Sequence, residues 1–214
     1  MSSWAVVYSL ALLVVLTLGL RRWKVAGNAD RLLIVLLIIA TLHEGSSLLL
    51  ILNKRTNMPN FHVYSPLELL ITCWYFRESA TLPSLKKTAT IASVTGVAAS
   101  VANTFWLQPI QTVNSNFLLY EATTIIILCL LSCYDVAIRE EVSPFATAKF
   151  WVTVCLLIYW SLCFATYGML GTQDHMQPLV YIAVETVLLS GNLLFYAGLA
   201  LIFIYYKRLR PSGE

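Results

Sequence analysis

Apolar runs long enough to cross a lipid bilayer as helices recur along the whole chain, separated by short polar stretches. A hydrocarbon core about 30 Å thick takes roughly 20 residues of helix. Seven segments meet that demand: 4–20, 31–52, 62–79, 88–107, 115–136, 148–170 and 178–206. The runs are continuous rather than alternating, which is the pattern of helices and not of a membrane β-barrel. The third segment has the shortest clean run and opens with HVYSPLELL (62–70). Its Pro66 is predicted to sit in the first helical turn, where the missing N–H has no use.

Composition agrees with this pattern. Of the 214 residues, 58% are hydrophobic and 12% charged, against roughly 25% charged in soluble domains. No stretch remains for a separate soluble domain, so residues 1–214 are expected to form a single all-α, multi-pass domain, and no nucleic-acid partner is expected. The first segment has no basic residue before it and RRWK after it, as in a retained helix rather than a cleavable leader. The five cysteines all fall inside predicted spans and read as small buried side chains.

Charge placement then orients the chain. Arg21, Arg22, Lys24, Arg31, Arg77, Lys86, Lys87, Arg139, Lys149, Lys207, Arg208 and Arg210 fall at one end of the predicted bundle, and only Lys54 and Arg55 at the other. Basic residues stay on the cytoplasmic side, which predicts the N-terminus outside and the C-terminus inside a cytoplasmic (inner) membrane.

Ionisable residues inside spans are costly and normally face the bundle interior or water. Depth counted along the helices puts Glu44, Glu68, Glu121 and Glu185 in one slab of the outer half. On the third helix Tyr64, Glu68, Thr72 and Tyr75 share a face; on the seventh Tyr181, Glu185, Asn192 and Tyr196 do. A small-residue face on the fourth, Ser93, Gly96, Ser100 and Asn103, suits close packing. With Asn114 and Asn116 at the start of the fifth helix, these residues outline a polar pocket open to the outside. His62 is expected to be interfacial and exposed, and His43 deep.

Several chemistries can be tested against the residues. Retinal is unlikely, because the last helix has no internal lysine. His43, Glu44 and His62 offer a weak metal set, without an H-x-x-x-H pair. No G-x-S-x-G, P-loop or dinucleotide fingerprint occurs.

Two resemblances add expectations. V-Y-x-x-x-E occurs at 63–68 and again 117 residues later at 180–185. The chain so read resembles the three-plus-one-plus-three SWEET and PQ-loop membrane proteins, which implies repeats over 1–80 and 115–206, a linker helix at 88–107 and a solute between the halves. H-x-Y-x-x-x-E at 62–68, N-S-N at 114–116, Glu121 and FW at 150–151 look like a family of small seven-helix bacterial inner-membrane proteins. That resemblance implies that His62, Tyr64, Glu68, Asn114, Asn116 and Glu121 belong to the site or its support, and it carries no activity with it.

A carboxylate pocket without internal cations suits proton- or cation-coupled transport of a small polar or cationic solute, with Glu68 and Glu185 paired across the halves. It also suits a ligand-binding sensor subunit, with Tyr64, Tyr181 and Trp106 as aromatic faces, acting through a separate membrane or signalling partner. An intramembrane metal-dependent enzyme is a third reading, and a structural subunit of a larger complex a fourth.

Overall fold

The computed structural model describes residues 3–138, 143–170 and 178–205. Among them are seven long helices and no strand: α1 (Ser3–Arg22), α2 (Asn28–Leu52), α3 (Met58–Ser79), α4 (Pro83–Ala102), α5 (Ser115–Ala137), α6 (Ala148–Leu170) and α7 (Pro178–Tyr205). Five segments are long and apolar enough to cross a membrane: α2, α4 with its extension to Leu107, α5, Ala148–Gly168 of α6, and Ile182–Tyr205 of α7. The chain is therefore a membrane protein. Apolar side chains face outward as well as inward, with Leu42, Val94 and Leu194 all about two-thirds exposed, so these helices have no polar face to offer water.

Each helix packs on its neighbour in sequence, α7 closes the ring on α1, and α3 also reaches across to α5. The inward faces follow helical spacing. On α3 Leu69, Thr72, Cys73 and Phe76 are buried at i, i+3, i+4 and i+7. Two glycines set how closely helices approach. A Cβ on Gly96 of α4 would lie 2.5 Å from Leu69 Cδ2, and one on Gly198 of α7 would lie 2.6 Å from Cys155 Sγ. Small residues at such crossings let helices pack where lipid gives no hydrophobic drive.

The helix ends are built from local signals. Pro83 opens α4 within its first turn. At the end of α2, Lys54 takes a positive φ of 55°, while the N–H groups of Asn53 and Arg55 close back on Leu49 O and Leu50 O. α3 begins four residues earlier than the sequence pattern predicts, because Pro59 sits in its first turn and starts the helix rather than breaking it. Pro66 consequently lies inside the helix and not in the first turn. There it leaves the carbonyl of His62 without its usual i+4 partner, one turn from the residues that matter most below. α4 runs on into a π-helical turn, Asn103–Leu107, closed by Gln108 N–H to Asn103 O at 2.8 Å.

Candidate functional site

Three glutamates and five tyrosines from six helices gather inside the ring. Glu44 of α2 accepts a hydrogen bond from Tyr8 Oη of α1 at 2.9 Å, and Tyr8 Oη lies 3.2 Å from Tyr196 Oη of α7. On α3, Tyr64 stands one turn before Glu68 and within electrostatic range of it, and its ring stacks on His43 with centroids 4.2 Å apart. Phe61 meets the same imidazole edge-on at 4.8 Å. Glu68 lies within electrostatic range of both Glu44 and Glu121 of α5. α6 contributes Tyr159, Cys163 and Tyr167 at i, i+4 and i+8, all within electrostatic range of Glu68, and Cys163 and Tyr167 of Glu121 as well. Only α4 brings no ionisable group to the cluster.

The electrostatics are one-sided. The one salt bridge among the described residues, Lys149 with Asp135, lies elsewhere, near the α5–α6 connection, so no cation is paired with the three carboxylates. Glu121 is 0% exposed. Neither of its carboxylate oxygens has a hydrogen-bond partner, and the hydroxyl of Thr72 on α3 is also buried and unpartnered. Burying an ion costs several kcal/mol even after relaxation, and buried polar groups are otherwise almost always satisfied.

A second polar group caps the bundle at the end away from most of the basic residues. His62, expected to be exposed, is 5% exposed. Its Nδ1 lies 3.0 Å from Thr104 Oγ1 and its Nε2 3.1 Å from Thr112 O. Asn103 Nδ2 donates to Asn114 Oδ1 and to Gln108 Oε1, Gln108 Nε2 donates to Ser115 Oγ, and Gln108 Oε1 also accepts from Asn116 N–H. This network ties the start of α3, the π-turn of α4 and the start of α5 together. Asn103, Asn114 and His62 thus belong to a cap above the glutamates, and the Asn116 side chain is exposed.

The expected metal set does not assemble. Both His62 nitrogens are engaged, His43 is packed between rings, and among the described residues no three His, Cys, Asp or Glu side chains come together as a metal site needs.

Glu185 is the clearest departure from the expected slab, since its side chain is exposed. The reason is a difference in level between two parallel helices. Tyr8 lies five residues into α1 and touches Tyr196, which lies eighteen residues into α7. α7 therefore overshoots α1 by thirteen residues, about 20 Å, and Glu185 stands on the stretch that α1 does not cover. The Asn192 amide is half-buried and turns back onto its own helix, donating to Leu188 O at 2.9 Å. The Tyr181 side chain lies outside the described residues, as does His175.

The tyrosines of α1 and α6 were missed by sequence reasoning. Their signal was available on α6 as Tyr159, Cys163 and Tyr167 at one-turn spacing, the same spacing that marked Tyr64 and Glu68. No family model, curated protein or solved structure matches this chain significantly.

Proposed function

We propose that the protein is a multi-pass transporter of the inner membrane that moves a small polar or cationic solute in exchange for, or together with, a proton or small cation. All seven helices span in this reading. α3 falls short of span-like hydropathy because of the polar residues it turns toward the cluster, and α1, with 20 residues, is as long as α4. Twelve basic residues on one side against two on the other orient the N-terminus outside and the C-terminus inside. The cap formed by His62, Asn103 and Asn114 then faces outward, with the glutamates beneath it.

The observation that carries the proposal is Glu121: fully buried, with both oxygens unpartnered, beside a second carboxylate and with no cation paired to either. A carboxyl in that state changes protonation or takes a cation whenever its access to water changes, which is the elementary step of coupled transport. Tyr8 links Glu44 and Tyr196 into a short hydrogen-bonded chain along which a proton can pass, and Tyr64 stands one turn before Glu68.

The test uses proteoliposomes holding a pH-sensitive dye, with amino acids, sugars and amines added outside in turn. A solute that drives proton movement in wild type, but not in Glu121→Gln or Glu68→Gln, supports the proposal. Saturable solute binding with no flux, lost in the same variants, would overturn it in favour of a sensor subunit.

A further inference from the structure

A cleft of about 380 Å³ opens between the start of α2 and the end of α3, far from the glutamate cluster. Its residues are ordered by depth. Asn28 and Arg31 stand in the first turn of α2, and Arg77 stands in the last turn of α3. One turn further into the bundle the walls become apolar: Leu32 and Val35 on one side, Trp74 on the other. Trp74 is 45% exposed, so its ring is a surface and not part of the core.

Among the described residues the arginines carry charge not taken up by an ion pair. Arg31 spends one nitrogen on the carbonyl of Trp23 at 3.3 Å and rests over that indole at 5.9 Å. Among the described residues, neither Arg31 nor Arg77 forms an ion pair. Glu78 is the one acid among the lining residues, with Asp30 in the same first turn of α2 as Arg31, while Arg21 and Arg22 end α1 and Lys24 follows it at the same end of the bundle.

Cationic groups at the level of the helix ends, with an aromatic and aliphatic wall just below, match a phospholipid: phosphate above, acyl chain beneath. Basic pockets between helices on the cytoplasmic side of a membrane take anionic headgroups, and a planar guanidinium pairs with phosphate through two nitrogens at once. We infer that this cleft is a binding site for one anionic phospholipid, its phosphate held by Arg31 and Arg77 and its chain laid against Trp74, Leu32 and Val35. Nothing in this inference depends on what the glutamate cluster does.

The experiment is native mass spectrometry of the full-length protein released from membranes containing phosphatidylglycerol and phosphatidylcholine. Wild type is expected to retain one phosphatidylglycerol in preference to phosphatidylcholine. Arg31→Ala with Arg77→Ala is expected to lose that retention roughly tenfold or more, since each arginine near an anionic surface is worth about a factor of five. Lys86→Ala with Lys87→Ala removes the same charge outside the cleft and keeps the lipid. If the double arginine variant does not fold, the exposed Arg77→Gln alone is expected to weaken retention measurably. Equal loss in the lysine variant, equal retention of phosphatidylcholine, or full displacement by millimolar glycerol phosphate overturns the inference; the last marks a free-phosphate site.

Discussion

Two carboxylates of α5, fourteen residues apart on one helix and both 0% exposed, are treated in opposite ways. Asp135 is saturated. It accepts hydrogen bonds from the N–H of Thr81 at 3.0 Å, the hydroxyl of Thr81, the N–H of Leu82 at 3.0 Å and the ammonium of Lys149. Lys149 also donates to Ser79 O at 2.8 Å. Together they lock the α3–α4 turn to the end of α5 and the start of α6. Glu121 has no such partner. A buried charge surrounded by fixed donors holds structure, and it has nothing left to give to a ligand. A buried carboxyl without donors costs stability, and the cost is tolerated where the group has another task.

That contrast can be pressed experimentally. The largest effect is expected at Asp135→Ala, which leaves Lys149 mostly buried without its counter-charge; loss of one partner of a buried pair costs about 3–5 kcal/mol. Denaturant unfolding in detergent checks this, and a change near zero would erase the distinction between the two residues. Glu121→Gln is expected to behave in the reverse way. It breaks no bond, so its melting temperature stays at or above wild type. Solute-driven proton uptake falls roughly tenfold or more, about 1.4 kcal/mol in barrier terms. Tyr8→Phe removes one hydrogen bond to Glu44 and the contact with Tyr196, and is expected to cost about 1 kcal/mol of stability. Glu185→Gln is the smallest: an exposed carboxylate beyond the end of α1 should change stability by less than about 0.5 kcal/mol and leave uptake unchanged. A transport defect there equal to that of Glu121→Gln would return Glu185 to the site.

Helix existence was readable from hydrophobic run length, and so was the grouping of Glu44, Glu68 and Glu121 from depth along each helix. Glu185 failed for one reason: a sequence gives position along a helix but not the level of one helix against another. Depth counted from Pro178 placed Glu185 beside Glu68, and the thirteen-residue overshoot of α7 separates them. Tyr159 and Tyr167 were passed over despite their one-turn spacing, because a tyrosine in an apolar helix looks alike whether it faces a carboxylate or a lipid headgroup. His62 was read as exposed because its helix was taken to begin with it. With Met58 as the true start, His62 falls a full turn inside, under Thr104 and Thr112.

The meeting of Gly198 with Cys155 carries a consequence of its own. The sulfur of Cys155 rests almost against the α7 backbone, so the seam between α6 and α7 has room for a bare thiol and nothing larger. Cys155 is half-buried, and an alkyl or thiosulfonate adduct on its sulfur would press against the α7 backbone at Gly198. The labelling rate of Cys155 therefore follows how tightly α6 and α7 pack, and a shift of that rate under an applied solute gradient would report a change at that seam.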